Sequence, residues 1–137
     1  MTANASTLNR DEYSDREPFR GIDRSGFVLL TTFRRDGTPV PTTVWIVRDG
    51  GRMIVTTSAE AGKAKRIRHT PRVTIAPSDV AGVTDGPAVA GVARVLPDDE
   101  VEALVPLFHR RYGEQARQLM SSHEAMFRRA MIEILPA

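Results

Sequence analysis

The stretch from Gly26 to Thr57, GFVLLTTFRRDGTPVPTTVWIVRDGGRMIVTT, decides the fold. Gly26 to Phe33 is apolar, β-branched and aromatic, and it stops at Arg34-Arg35-Asp36-Gly37. Asp-Gly tolerates the positive φ that a hairpin turn needs, so a strand and a reversal are predicted. Val40 to Arg48 repeats the pattern and is closed by Asp49-Gly50-Gly51; Arg52 to Thr57 follows as a third strand. Three strands joined by two tight turns predict an antiparallel meander. Pro39 and Pro41 lack an N–H, so the start of the second strand is expected at an edge or against a ligand.

Beyond Thr57 the period changes. Ser58 is a plausible helix N-cap for Ala59 to His69, where Ala64 and Ile67 give a short apolar stripe, and Pro71 marks the exit. Arg72 to Ala76 and Val89 to Leu96 are predicted as the fourth and fifth strands, separated by a Gly- and Pro-containing loop at 79–87. Gly91 signals a bulge or a close approach of backbone or ligand. Pro97 opens a helix with Asp98, Asp99 and Glu100 in its first turn and His109, Arg110 and Arg111 near its end, placements that complement the helix dipole. Pro106 should kink that helix and Gly113 end it, Glu114 to Phe127 is a second helical stretch, and Met131 to Leu135 alternates as a sixth strand. The sum is a mainly β chain: a six-stranded antiparallel sheet, closed into a barrel to remove its edges, with a short helix after strand 3 and a helical insertion before the last strand. Residues 1–20 read as an N-terminal arm and 21–137 as a single domain. A barrel of this size fills with side chains, which places any ligand on its outside.

Composition narrows the function classes. The chain has 137 residues, no cysteine and a formal net charge of +2. Thiolate metal sites, disulfides and cysteine nucleophiles are excluded, and whole-chain charge gives little reason to expect nucleic acid. The polar N-terminus is no signal peptide and no run approaches the length of a membrane helix, so a cytoplasmic protein without a membrane partner is expected. His69, His109 and His123 have no metal-ligand spacing, and Ser121-Ser122-His123 is not a triad signature.

The segment that carries chemistry is Thr56-Thr57-Ser58-Ala59-Glu60-Ala61-Gly62-Lys63-Ala64-Lys65-Arg66-Ile67-Arg68. A strand runs into a helix start with hydroxyls, a glycine and then cations. Free N–H groups and a partial positive charge at a helix N-terminus bind anions, and Lys63 and Arg66, three apart, share a face. A solvated basic face explains the same residues, and from composition alone it is the stronger reading. A nucleic-acid patch is a third, without the interleaved aromatics that stack on single strands. Thr42 and Val44 face one side of the second strand, and Thr43 and Trp45 the other; paired threonines are also simply good strand formers.

Read together, the string LLTTFRRDGTPVPTTVWIV, the string GGRMIVTTSAEAGKAKRIRHTPRVTIAP and the segment GVARVL resemble the pyridoxamine 5′-phosphate oxidase-like split β-barrel family, and within it the branch of probable F420-dependent oxidoreductases. The likeness is strong from Phe27 to Leu96 and one of order only beyond. It implies a homodimer with coenzyme F420, or FMN, across the strands at the subunit interface. It implies Lys63, helped by Lys65 or Arg66, as the phosphate or oligoglutamate anchor, Thr56, Thr57, Ser58 and Gly62 around the phosphate end, and Thr42, Thr43 and Val44 beside the ring. Hydride would pass directly between cofactor and a small substrate, which accounts for the missing acid–base constellation. Two other functions stay open: an FMN-dependent oxidase or reductase, and a non-catalytic flavin- or tetrapyrrole-binding protein. Relatives often carry an aromatic residue after the Gly-Pro of the fourth-to-fifth-strand loop; here Gly86-Pro87 is followed by Ala88.

Overall fold

A computed structural model describes residues 19–126 and 128–137, with side chains 121–126 outside that description. Six strands, β1 (Phe27–Phe33), β2 (Pro39–Asp49), β3 (Arg52–Ser58), β4 (Arg72–Ser78), β5 (Val89–Val95) and β6 (Arg129–Pro136), alternate with α1 (Gly62–His69), α2 (Val101–Tyr112) and α3 (Glu114–Met126). All six strand pairs are antiparallel, and the order β1-β2-β3-β6-β5-β4 closes on itself as a barrel. The predicted architecture is the observed one: mainly β, a short helix between β3 and β4, and a helical insertion before β6.

Strand alternation sorts the apolar residues into two cores. Val28, Leu30, Val44, Ile46, Met53, Val55, Ile75, Ile132 and Ile134 point inward and fill the barrel. Each such side chain contributes about 1.5–3 kcal/mol on leaving water. The outward Val47, Ile54 and Met131 form a second core with Leu104, Phe108 and Met120 of α2 and α3. The insertion therefore covers one outer face of β2, β3 and β6. Phe19, the last resolved part of the predicted arm, is itself buried in the inner core; residues 1–18 lie outside the described residues. Gly91 marks a close approach of both side chain and backbone: a Cβ there would lie 2.7 Å from Ile134 Cγ2 and 3.1 Å from the Leu135 carbonyl oxygen. It pairs in regular register with Pro136, without a bulge.

Three boundaries differ from the sequence reading. Ser58 is no helix cap: it ends β3 opposite Arg129, and its Oγ accepts the Glu60 N–H at 3.2 Å. The helix starts at Gly62 after Ala61, with no side-chain cap, because the Ala59–Ala61 segment turns before the helix can begin. The last strand starts at Arg129 rather than Met131, since β3 runs on to Ser58 and pairs Thr57 with Ala130 and Ser58 with Arg129. Pro97 leads into a 3-10 turn at Asp98–Glu100 before α2, which runs through Pro106 and ends at Gly113 with φ 61°.

The feature that positions the site is a parting of strands. β2 and β3 pair from Asp49↔Arg52 up to Ile46↔Val55. Beyond that level β2 stays on β1 (Phe27↔Trp45, Leu29↔Thr43), whereas β3 stays on β6 (Thr56↔Met131, Ser58↔Arg129). A groove opens on the barrel surface between the two diverging edges.

Candidate functional site

The groove has a volume of about 480 Å³, within the range of small-molecule sites. Its two ends differ because of the register around it. Continuing the ladder one step past Ile46↔Val55 brings Trp45 level with Thr56, and Phe27 pairs with Trp45. This end is aromatic and apolar, with Leu119 of α3 and Val80 of the β4–β5 loop at the rim. The other end holds Thr43, Ser58, Ala61 and Lys63, where β3 turns into α1.

Trp45 is a fixed wall. Its ring stacks on Tyr112 at 4.3 Å between centroids and 5° between planes. Tyr112 is in turn locked: its hydroxyl accepts the Ile46 N–H at 2.9 Å and donates toward the carbonyls of Gly26 at 2.5 Å and Ile46 at 2.8 Å. Burial pushes the Tyr112 hydroxyl pKa up, so it stays protonated for that task.

Lys63 is half-buried at the cationic end. Burial, and then the neighbouring Arg66 charge, hold its ammonium pKa below the ordinary lysine value. Among the described residues it has no hydrogen-bond or carboxylate partner. A half-buried ammonium without an anion favours any ligand that brings one.

Of the residues singled out from the sequence, Thr43, Val44, Thr56, Thr57, Ser58 and Lys63 line this groove. Thr42, Gly62, Lys65 and Arg66 do not. Thr42 shares the inward face with Val44 and pairs with the core residue Leu30, so its side chain belongs to the barrel interior. Arg66 folds back over Gly62, which a Cβ would place 2.8 Å from Arg66 Nη1, and its Nε donates to Thr32 Oγ1 at 2.7 Å. Lys65 is exposed on α1. Sequence reasoning missed Phe27, Leu119, Val80 and Arg129, and it placed Trp45 on the face of the second strand that carries Thr43 without assigning it a contact. Arg129 has one legible signal, an arginine embedded in an apolar strand start, Arg129-Ala130-Met131-Ile132.

Among the described residues that line the groove none is an aspartate or glutamate, and two cations, Lys63 and Arg129, face it. Among the described residues no cluster of three metal-ligating side chains occurs.

The sequence pattern of the pyridoxamine 5′-phosphate oxidase family matches residues 16–137, from the arm through the whole barrel. The chain belongs to that family. No curated protein is detectably similar to it in sequence. The family barrel recurs in solved structures. HutZ, the haem storage protein of Vibrio cholerae, is similar with a TM-score of 0.65, 18% identity and coverage of 94% of this chain and 92% of its own. The conserved hypothetical protein Rv2991 of Mycobacterium tuberculosis gives 0.63, 23%, 99% and 86%. An F420 reductase gives 0.58, 23%, 85% and 90%. At these identities the likeness is one of fold, and this family barrel serves proteins described as a reductase and as a haem store. No helix among the described residues is long and apolar enough to cross a membrane.

Proposed function

We propose that the groove holds coenzyme F420, with FMN as the alternative, and that the protein is an oxidoreductase passing hydride from the reduced deazaflavin to a small organic substrate. One observation carries this reading: a single groove joins a flat aromatic end, Trp45 and Phe27, to a cationic end, Lys63 at the start of α1, with no carboxylate among the described residues that line it. A planar ring matches the first end and an anionic tail the second. The residues present fit such a cofactor. Lys63, Ser58 and Thr57 would hold its phosphate, Trp45 and Phe27 would face its ring, and Thr43, level with Ser58, would lie beside the tail. The cofactor supplies the hydride chemistry; the chain binds, orients and shields it. F420 is set ahead of FMN because its longer anionic tail would run on beyond the groove, where Lys65 stands exposed on a different face of α1 from Lys63.

The groove is open, and its rim carries apolar side chains facing water: Val80 is 72% exposed and Leu119 41%. A second copy of the chain covering this rim completes the site, so the working form is a homodimer.

The fold likeness to a haem storage protein favours one other reading, a tetrapyrrole carrier. Among the described residues that line the groove there is no histidine, cysteine, methionine or tyrosine to ligate iron, which favours the flavin-type reading. Parallel fluorescence titrations with F420, FMN and haemin decide. The expected order is F420 tightest, then FMN, with haemin unbound at micromolar concentration. The same sample in light scattering gives about twice the 15.1 kDa chain mass. Saturable binding of haemin alone, or a monomer mass with cofactor bound, contradicts the reading.

A further inference from the structure

The two adjacent arginines at the start of β6 are used differently. Arg128 is exposed and makes surface ion pairs, with Asp98 at 2.6 Å and Glu60 at 4.0 Å. Arg129 is 8% exposed and lines the groove. Burying a guanidinium is costly, and a chain keeps one inside where it serves a contact.

The direction of the side chain says which part of the groove it serves. Arg129 pairs across the ladder with Ser58, near the cationic end. Yet its Nη1 donates to Thr56 Oγ1 at 2.7 Å, two residues down β3 and level with Trp45. Its Nη2 approaches the Met120 carbonyl of α3 at 3.5 Å. The guanidinium thus leans away from Lys63 and α1, by roughly 6–7 Å along the strand, and its contacts among the described residues include the Thr56 hydroxyl and the Met120 carbonyl, both at the aromatic end. Thr56 accepts one hydrogen bond from Arg129 and so helps to fix the arginine, keeping its O–H and a second lone pair for other contacts.

We infer that Arg129 is a specificity-determining contact for the ring of the ligand, distinct from the phosphate anchor Lys63. A planar fork of N–H donors matches the carbonyl-rich edge of a pyrimidinedione-type heterocycle. The inference rests on the cofactor reading proposed above. A flavin-type ring held there would gain negative charge on hydride uptake, and the guanidinium of Arg129 beside it would favour that charge. The residue therefore both selects a planar ligand with an acceptor edge and favours its reduced form. Thr56 and the α3 carbonyl keep it aimed.

The test compares FMN with riboflavin, which share one ring and differ by the phosphate. Arg129→Gln is expected to weaken both about equally, by tenfold or more, and to lower the midpoint potential of bound FMN. Lys63→Ala is expected to weaken FMN and leave riboflavin unchanged. Should Arg129→Gln fail to fold, Arg129→Lys keeps the charge but loses the fork, and it is expected to weaken both ligands while retaining part of the potential. A loss confined to FMN would place Arg129 at the phosphate and overturn the inference. So would unchanged affinities and potential in a folded variant. If the parent protein binds neither FMN nor riboflavin nor F420, the cofactor reading itself falls and takes this inference with it. If the parent binds and the variant binds equally, only the role of Arg129 falls.

Discussion

Lys63 carries the largest residue-scale consequence. It sits where β3 turns into α1, half-buried, with its pKa lowered first by burial and then by Arg66. Lys63→Ala is expected to weaken binding of a phosphate-bearing cofactor by about 1.5–3 kcal/mol, the range for a hydrogen bond to a charged group. His109→Ala, on α2 away from the groove, is the matched control. The sign of the pH dependence follows from the depressed pKa. The free protein releases the Lys63 proton at a lower pH than an ordinary lysine does, and a bound anion raises the pKa again. Binding is therefore strongest while Lys63 is charged and is lost as pH rises through the pKa of the bound form, over a range that starts below the usual lysine value. Titration in a pH series checks this; flat affinity up to the ordinary lysine range contradicts it. The sequence made Lys63 legible because a cation just inside a helix that follows strand hydroxyls has a recognisable order. It left the fate of Arg66 illegible. Spacing put Arg66 and Lys63 on one helix face, but the side chain turns back to Thr32 on β1, a contact 34 residues away in sequence. Arg129 was hidden for a similar reason: only the pairing with Ser58 places it beside the groove.

At the scale of elements, the barrel is tied on its outer face by a buried carboxylate. Glu133 of β6 accepts from Arg52 Nη1 at 2.8 Å and Arg94 Nε at 2.8 Å, and Arg52 also reaches Asp49 at 2.9 Å. This links β3, β6 and β5 across two ladders, close to the level at which β2 and β3 still pair. Hydrogen bonding from Arg94, ahead of that from Arg52, holds the Glu133 carboxyl below the usual carboxylate range. A group depressed in the folded state contributes stability above its unfolded pKa and loses it as pH falls through the folded pKa. Glu133→Gln is expected to cost about 2 kcal/mol at neutral pH and to flatten the acid limb of stability below about pH 4–5. Denaturant melts across pH read both; an unchanged acid limb contradicts the tie. The strands themselves were legible from alternation between apolar and polar positions, and their turns from Asp36-Gly37 and Asp49-Gly50. Alternation also paired Thr42 with Val44 on one face. It does not say which face is inside, and the closed barrel puts that face toward Leu30, leaving Thr43 and Trp45 for the groove. Phe19 was unreadable as core because its flanks are polar, and only the closed barrel brings it into the inner core.

For the whole molecule, one geometric fact organises the rest: β2 and β3 part above Ile46↔Val55, and α2 and α3 cover the outer face below. The barrel interior is filled, so the surface cleft made by that parting is where a ligand of cofactor size fits. Its aromatic end, its cationic end and its uncovered apolar rim are consequences of register and closure rather than of any local motif. The barrel was legible in the sequence, whereas the groove was legible only through the family likeness. The central claim is that this cleft is the cofactor site. Backbone amide shifts of isotopically labelled protein, followed through a titration with F420, test it most directly. The account predicts saturable shifts at Thr43, Trp45, Thr56 to Ser58, Ala61 to Lys63 and Arg129, with Arg72, Val92 and Leu135 on the opposite side of the barrel unmoved. Shifts centred on that opposite side, or none at saturating F420 and FMN, would contradict it.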